Sequence, residues 1–372
     1  MSNTQKKNVP ELRFPEFEGE WEEKQLGNII KVNSGKDYKH LDKGDIPVYG
    51  TGGYMTSVSE PLSEIDAVGI GRKGTINKPY LLEAPFWTVD TLFYCTPKKE
   101  TDILFILSLF RKINWKVYDE STGVPSLSKQ TINKINRFVP TNKEQQKIGK
   151  FFSKLDRQIE LEEQKLELLQ QQKKGYMQKI FSQELRFKDE NGNDYPDWTN
   201  ERLGEVTTVT MGQSPKSVNY TDNSNDTVLI QGNADIENGL INPRIYTREV
   251  TKLIQKGEII LTVRAPVGKL AMAQINACIG RGVCSIKGDK FLYYFLEWFA
   301  TQNKWIRFSQ GSTFESISGN DIRNIHIKIP VEDERTKIIK LLNSLDVLNS
   351  KTDLKIQNLK QRKQSLLQKI FV

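Results

Sequence analysis

The chain has 372 residues, of which 37% are hydrophobic and 27% charged, so it is long enough for two or more domains with separate cores. It contains no run of 18 apolar residues, and Met1 to Asn8 is polar, so we expect neither a membrane span nor a secretory signal. Cys95, Cys278 and Cys284 form no C-x-x-C motif, which indicates core thiols in a reducing, cytoplasmic setting.

The formal net charge of +8 is unevenly distributed along the chain. Residues 141–181 and 331–372 carry +3 and +4, whereas residues 1–140 and 182–330 carry +1 and 0. Net charge alone is therefore a weak argument for nucleic-acid binding. Any phosphate-binding face must come from an asymmetry of charge within each of the two nearly neutral parts.

The second half of the chain repeats the first. An opening motif, Arg13-Phe…Trp21…Leu26-Gly27, recurs as Arg186-Phe187…Trp198…Leu203-Gly204, and its tryptophans differ by 177 positions. Near the ends of the halves, Pro140 and Pro330 differ by 190, so the second copy gains 13 residues in between. A repeat of this length is a whole domain followed by a helix, rather than a solenoid unit. Because the copies agree at their ends and diverge in the middle, we interpret them as one scaffold with two recognition surfaces.

The globular part of each copy reads as a mixture of strands and helix. Short apolar runs at Ala67–Ile70, Ile259–Val263 and Ile325–Ile329 are typical of strands, and they are separated by Gly, Pro and Asn. One helix is predicted in each copy, at Ile103–Lys112 and at Phe291–Phe299. This pattern favours an α+β fold.

Polar side chains beside a glycine are the first candidates for a binding surface. After Leu-Gly, each copy reaches a glycine, followed by Lys36 in the first copy and Gln213 in the second. Gln231 and Asn233 follow later in the second copy. Their donors and acceptors suit the edges of DNA bases, while the alternative is that they belong to solvated turns.

A basic turn after a buried strand is the second candidate. The turn contains Arg72-Lys73 in the first copy and Arg264 in the second, and we interpret the two basic turns as equivalent. Arginine suits bidentate contact with guanine or phosphate. Gly69–Gly74 also spells G-x-G-x-x-G, but Pro79 argues against the helix that a dinucleotide site needs, so we predict a tight turn.

Catalytic residues are not apparent in this sequence. Its two histidines, His40 and His326, do not assemble into a metal cluster, a serine triad or a cysteine–histidine pair. We therefore expect no metal site and no catalytic site. This favours a recognition or scaffold protein over an enzyme.

The two basic segments show a heptad pattern. Apolar residues recur at alternating spacings of four and three, which is typical of a coiled-coil seam, with polar seam positions at Glu162, Lys173, Thr352 and Lys363. Polar seam residues cost stability but fix register. The principal apolar seam residues are Phe152, Leu155, Ile159, Leu166, Leu169, Leu342, Leu345, Ile356 and Leu359.

The short connection at Ser182–Leu185 constrains the topology. If the two helices pair within the chain, the second must run back antiparallel to the first. We therefore predict two repeated α+β domains separated by two long antiparallel coiled-coil helices, with a pseudo-twofold axis and a nearly circular chain. The predicted boundaries are 1–140, 141–181, 182–330 and 331–372.

The order of these motifs, repeated twice, resembles the specificity subunit of a type I restriction–modification system. The resemblance covers essentially the whole chain, from the opening motif to the closing motif, Pro140…Glu144-Gln145-Gln146-Lys147-Ile148. The second copy departs at Glu334-Arg335-Thr336-Lys337-Ile338, where the glutamine pair is lost.

The resemblance implies a non-catalytic subunit with two target-recognition domains, each reading one half of a bipartite double-stranded DNA sequence. It implies that the helices set the spacing and dock two modification subunits, which would use S-adenosylmethionine to methylate adenine. Restriction subunits using ATP and Mg²⁺ would add translocation and cleavage. Two alternatives are a coiled-coil adaptor or other DNA-binding scaffold without a restriction role, and a nucleotide-dependent enzyme.

Overall fold

The computed structural model of the chain describes residues 8–302, 304–305 and 316–372. The polar segment Met1 to Asn8 therefore lies almost entirely outside the described residues, as does the start of the second copy's Gly311–Ser318 repeat motif. The chain divides into two compact units, one formed by residues up to Gln164 with Thr352–Val372, and the other by Lys165–Lys351. Within the described residues, no helix is long and apolar enough to cross a membrane.

The first unit contains a four-stranded antiparallel sheet, a three-stranded sheet and a two-stranded ribbon. The strand orders are β2-β8-β5-β6, β4-β3-β7 and β1-β9. The strands are β1 Glu22–Gln25, β2 Ile30–Ser34, β3 Ile46–Gly50, β4 Gly53–Val58, β5 Ala67–Gly71, β6 Tyr80–Leu82, β7 Trp87–Thr88, β8 Leu92–Pro97 and β9 Asn136–Val139. The α-helices of this domain are α1 Leu26–Ile29, α2 Ile103–Lys112 and α3 Lys129–Lys134, with a 3₁₀ turn at Trp115–Tyr118.

The core of this unit lies between the sheet and α2. Every residue of β5 is buried, so its apolar run carries no alternation. Helix α2 begins after Asp102, whose carboxylate accepts a 2.8 Å hydrogen bond from the Phe105 N–H, and it buries Phe105 and Phe110. The predictions of this helix and of the Ala67–Ile70 strand are confirmed.

The second unit repeats this arrangement with more strands. The orders are β11-β21-β18-β19, β12-β16-β13-β20-β17, β14-β15 and β10-β22. The strands are β10 Thr199–Arg202, β11 Val209–Met211, β12 Tyr220–Thr221, β13 Thr227–Ile230, β14 Ile236–Glu237, β15 Leu240–Ile241, β16 Tyr246–Thr247, β17 Leu253–Ile254, β18 Ile259–Thr262, β19 Leu270–Met272, β20 Ala277–Ile279, β21 Val283–Ile286 and β22 His326–Ile329. The described α-helices are α5 Leu203–Val206, α6 Lys290–Thr301 and α7 Gly319–Arg323, with 3₁₀ turns at Ser217–Asn219 and Asn233–Asp235.

The predicted elements of the second copy are also present. Helix α6 contains the predicted Phe291–Phe299, and β18 and β22 match the two predicted apolar runs. All three cysteines are buried and unpaired, as expected for core thiols, and burial raises the pKa of Cys284 to about 12.

Two long helices complete the fold, α4 Asn142–Phe181 with 40 residues and α8 Glu332–Ile370 with 39. In the first unit, the start of α4 packs with the end of α8, and both join the core under α2. In the second unit, the end of α4 joins the start of α8 in the core beside α6. The helices are therefore antiparallel in each unit, as predicted, and all nine principal apolar seam residues are buried or half-buried.

The polar seam positions are held by ion pairs or buried. In the first unit, Glu162 pairs with Lys355, and Lys363 pairs with Asp156. In the second unit, Lys173 lies 2.7 Å from Asp346 and 2.8 Å from Glu297. Thr352 is buried. Each seam lysine thus meets an aspartate of the facing helix, which fixes one register.

The opening and closing motifs form one buried cluster in the first unit. Glu144, in the first turn of α4, is 1% exposed, and Arg13 binds both of its carboxylate oxygens at 2.7 and 2.8 Å. The indole N–H of Trp21 donates to the same carboxylate at 3.3 Å. The recurrence of Arg, Trp and Glu along the sequence therefore reflects one contact, which ties the start of the domain to the start of its helix.

The second unit contains the same cluster, with Glu334 held by Arg186 at 2.7 and 2.8 Å and by the Trp198 indole at 2.9 Å. The lost glutamine has a substitute, because Arg335 pairs with the α6 cap residue Asp289 at 2.8 Å. In the first unit, Gln145 instead accepts from the backbone N–H of the equivalent cap residue, Asp102. The departure from the motif thus keeps the link between the long helix and the shorter one.

Removing this glutamate should destabilise the second unit. Glu334→Ala leaves a partly buried arginine and a buried indole N–H without their acceptor, and breaking a buried pair costs about 3–5 kcal/mol. The matched control is Glu332→Ala, since Glu332 lies in the same helical turn but is 80% exposed. Urea unfolding of both variants checks the expectation, and equal midpoints for the two would contradict it.

The seam can be tested with two leucines of α8. Leu342 is fully buried in the seam, whereas Leu348, on the same helix, is 45% exposed. Leu342→Asp should cost more than the roughly 2–5 kcal/mol of a Leu→Ala change, because it also buries an unpaired charge. Leu348→Asp should change the unfolding free energy by less than about 1 kcal/mol. Similar losses in both variants would show that α8 has no preferred buried face.

Candidate nucleic-acid interface

One loop of the first domain lies beside all three of that domain's predicted binding residues, Lys36, Arg72 and Lys73. The β7–β8 loop, Val89–Thr91, leads from the short parallel strand β7 into β8 at the centre of the large sheet. Backbone hydrogen bonds fix it to three other segments. They run from Lys36 N to Thr88 O (2.8 Å), Gly35 N to Leu92 O (3.2 Å), Arg72 N to Thr91 O (2.8 Å), Val89 N to Tyr49 O (3.0 Å) and, within the loop, Leu92 N to Val89 O (3.0 Å).

The second domain has an equivalent β20–β21 loop, Gly280–Gly282, with the same five hydrogen bonds. Here, too, the loop leads from a parallel strand into the central antiparallel one. The bonds run from Gln213 N to Ile279 O (2.9 Å), Gly212 N to Val283 O (3.0 Å), Val263 N to Gly282 O (2.9 Å), Gly280 N to Ile230 O (2.7 Å) and Val283 N to Gly280 O (3.1 Å).

These bonds also locate the extra residues of the second copy. The offset between equivalent positions rises from 177 at Gly35 and Gly212 to 191 at Thr88 and Ile279. The inserted residues therefore lie between Gly212 and Ile279, where the second copy forms its additional short strands. They enlarge the sheet next to the β20–β21 loop without altering the hydrogen bonds that hold that loop.

The glycine that each copy reaches after Leu-Gly has a steric role. A Cβ on Gly35 would lie 1.9 Å from the Val89 carbonyl oxygen, and one on Gly212 would lie 2.1 Å from the Gly280 carbonyl oxygen. Any other residue would force the loop away from β2 or β11. The residue after the glycine, Lys36 or Gln213, is thereby placed beside the loop.

The structure brings together the three candidates of the first domain. Lys36, Arg72 and Lys73 bond through their backbones to the β7–β8 loop or its ends, and all three side chains are exposed. The side chains of Lys36 and Lys73 make no ion pair or hydrogen bond with any other described residue. Arg72 lies over the Phe93 ring at 5.9 Å, and its Nη1 donates to the Asp90 carbonyl at 3.5 Å.

The candidates of the second domain differ in accessibility. Gln213 and Arg264 are exposed beside the β20–β21 loop. Gln231 is half-buried, and its side-chain Nε2 is enclosed without a hydrogen-bond partner among the described residues. Asn233 is half-buried at the start of a 3₁₀ turn, with its carbonyl 3.2 Å from the Lys269 amino group. Gln213 and Arg264 are thus presented to solvent, whereas Gln231 faces inward.

The main-chain bonds of the two basic turns fix which of their residues correspond. The Arg72 carbonyl accepts from Leu127 N at 2.9 Å, and the corresponding acceptor in the second copy is Val263, which bonds Ile317 N at 2.9 Å. Lys73 and Arg264 each bridge to the serine that precedes this donor, Ser126 and Ser316. Arg264 therefore corresponds to Lys73. The sequence offset alone was ambiguous here because the inserted residues lie on both sides of β13.

The residues at the tips of the two loops are candidates that no sequence motif indicates. The tip residue is Asp90 in the first domain and Arg281 in the second, and both are exposed. Ser214 also helps to hold the second loop, because its hydroxyl accepts a hydrogen bond from the Arg281 N–H at 3.1 Å. The sequence signal for Arg281 is its position between two glycines, because glycines often mark a backbone segment that packs closely against another.

The G-x-G-x-x-G motif is a turn, as predicted. Gly69 and Gly71 belong to β5, no helix follows Gly74, and the chain continues into β6. The Gly74 N–H donates to the Pro125 carbonyl at 2.8 Å, so the backbone is already bonded within the domain. In the described parts of the chain, no group of three or more His, Cys, Asp or Glu side chains could hold a metal ion.

The repeated domain matches a known protein family. The sequence profile of the type I restriction modification DNA specificity domain matches residues 18–171 and again residues 195–361. The chain belongs to this family. Both matches include the globular domain and part of the long helix that follows it, and the resemblance stated from the motifs is confirmed.

Relatives in Methanocaldococcus jannaschii support the assignment. The chain is 30% identical over 261 residues to the type I restriction enzyme MjaX specificity subunit, covering 66% of this chain and 61% of that protein. It is 26% identical over 312 residues to the MjaVIII specificity subunit, covering 77% and 71%. The match therefore spans about three fifths of the length of the first of these relatives.

Solved structures share the fold. The S subunit of a type I restriction–modification system from M. genitalium matches with a TM-score of 0.69 at 16% identity, over 98% of this chain and 99% of that one. A structure described in terms of assembly and conformational transition of the type I restriction–modification system matches with a TM-score of 0.56 at 20% identity, over 94% and 97%. The α+β fold with two long helices is thus shared across these proteins.

Proposed function

We propose that this chain is the sequence-specific DNA-recognition subunit of a type I restriction–modification complex, and that each domain reads one half of a bipartite target. The observation that carries this proposal is the pair of equivalent loops. Five backbone hydrogen bonds are the same in both, while the exposed side chains around them differ. A fixed backbone that presents variable donors and acceptors is what two readers of unlike DNA sequences require.

The side chains around the loops suit double-stranded DNA. Exposed Arg and Lys bind phosphates, and Arg also binds guanine in the major groove. Arg264 and Lys73 have no ion-pair partner among the described residues, so their charges are not neutralised within the protein. Membership of a DNA specificity family supports the same ligand.

The partners follow from the family and from the helices. We infer that the chain is non-catalytic and works in the cytoplasm with two modification subunits, which bind S-adenosylmethionine, and with restriction subunits, which use ATP and Mg²⁺. Support comes from the outward sides of the helices, where several leucines are exposed and available for docking. These are Leu161, Leu168, Leu348 and Leu354, with exposures of 48, 66, 45 and 57%.

The modular reading predicts the result of a domain exchange. Replacing residues 186–330 by the matching segment of a relative should change one half of the methylated sequence and leave the other half intact. The donor must carry the arginine and tryptophan that bind Glu334, because this glutamate stays in the recipient. Methylated adenines are mapped genome-wide in a host that lacks other adenine methylation.

The matched exchange of residues 11–140 from the same relative should change the opposite half. A change of both halves in either hybrid would contradict one domain per half-site. If the unaltered chain with its modification subunits methylates no defined sequence, the protein is an adaptor without a DNA role.

A variant of Arg264 can distinguish contact with a DNA base from contact with a phosphate. If it is bidentate to a guanine, Arg264→Ala should cost about 1–3 kcal/mol and relax specificity at one position only. If it holds a phosphate, binding should weaken on all sequences and the salt slope should fall by about one. Binding of the assembled complex to single-base-changed duplexes at several salt concentrations separates the two.

The control is Lys256→Ala, because Lys256 is exposed in the turn before β18, at the end opposite Arg264. Unchanged affinity and specificity in Arg264→Ala would show that this turn faces away from DNA.

A further inference from the structure

The β7–β8 and β20–β21 loops have tip residues of opposite charge, Asp90 and Arg281, although the backbones of the two loops are equivalent. Asp90 follows Val89, which bonds to β3, and Arg281 follows Gly280, which bonds to the corresponding residue of β13. The next residue in each case, Thr91 or Gly282, accepts from the end of the neighbouring strand. Asp90 and Arg281 therefore occupy the same position in the fold, and only the side chain changes.

Neither tip side chain contributes to folding. Both residues are exposed, and neither side chain makes an ion pair or hydrogen bond with another part of the described structure. A charged residue in such a place is often only solvated. Two features of these loops argue for more than solvation.

The first feature is the cost of placing Arg281. It lies between two glycines, and each glycine loses more backbone entropy on folding than any other residue. A Cβ on Gly282 would lie 1.9 Å from the Gln231 carbonyl oxygen, so only a glycine at this position lets the loop pack this closely against Gln231. Between the two glycines the chain nevertheless carries a long cationic side chain, held at its backbone by Ser214.

The second feature is the charge at four equivalent positions around each loop. In the first domain, the four equivalent positions hold Lys36, Arg72, Lys73 and Asp90, three cations and one anion, for a net +2. In the second domain, they hold Gln213, Val263, Arg264 and Arg281, two cations, again for a net +2. At these four positions the net charge is thus the same in both domains, while the pattern of donors and acceptors is rearranged.

We propose that the tip residue determines specificity in each domain: Asp90 accepts a hydrogen bond from the exocyclic amino group of a cytosine in one half-site, and Arg281 donates to O6 and N7 of a guanine in the other. This inference rests on the proposed function. Carboxylates accept from cytosine N4, and arginine is the commonest partner of guanine. The three cations beside Asp90 offset the repulsion between its carboxylate and the DNA backbone.

Two amide substitutions test the proposal, since asparagine and glutamine pair with adenine. Arg281→Gln should change a single guanine of one half-site to adenine, and Asp90→Asn should change a single cytosine of the other half-site to adenine. Methylation of the original sequence should fall roughly ten- to hundred-fold in each variant. The chain is expressed with its modification subunits, and methylated adenines are mapped genome-wide.

The controls are Lys256→Gln and Asp45→Asn, which make the same changes of charge at the far ends of β18 and β3 and should leave the methylated sequence unchanged. Loss of methylation on all sequences, with an unchanged melting temperature, would show that the tip residue holds phosphate and would overturn base reading. An unchanged methylated sequence in both tip variants would also overturn it. If the unaltered chain yields no methylated sequence, the proposed function itself fails instead.

Discussion

The buried glutamate at the start of each long helix is the contact on which the rest of the fold depends. Glu144 and Glu334 are almost completely enclosed, and each is bound by an arginine and a tryptophan from the start of its own domain. A buried carboxylate is costly unless its oxygens are paired, so this cluster forms only when the domain closes on the helix. The beginning of the domain, its end and the first turn of the coil therefore adopt their places together.

In the β7–β8 and β20–β21 loops, by contrast, the backbone hydrogen bonds are the same and the side chains differ. Each loop is held by the same five main-chain hydrogen bonds, and in the second domain the Ser214 hydroxyl also accepts from the Arg281 N–H. The steric requirements are glycines at Gly35, Gly212 and Gly282, because a Cβ there would lie 1.9 or 2.1 Å from a carbonyl oxygen. Any residue can therefore occupy the tip at little cost to folding. This separation explains how one scaffold can carry two different surfaces without two different folds.

Much of the architecture could be predicted because it leaves a periodic signal. Helix α2 begins and ends at the predicted residues, and the seam of α4 and α8 follows the heptads. Strands of two residues, such as β14 and β17, carry no period and could not be predicted. The contacts of the candidate site depend on long-range main-chain bonds. For that reason the sequence indicates neither the tip residue Arg281 nor the inward position of Gln231, and it leaves open which residue of the first turn corresponds to Arg264.

The ion pairs of the coiled coil also combine a constant part with a variable part. Lys363 and Lys173 are equivalent seam lysines, and each pairs with an aspartate of the facing helix, but the third group differs. In the first unit it is Arg111, which also binds Asp156, and burial lowers the pKa of Lys363. In the second unit it is Glu297; burial by itself lowers the pKa of Lys173, but Glu297 and Asp346 outweigh it and raise that pKa. The lysine–aspartate pair that fixes the register is thus kept while its neighbour changes sign, so the two domains can diverge next to a coil whose alignment stays the same.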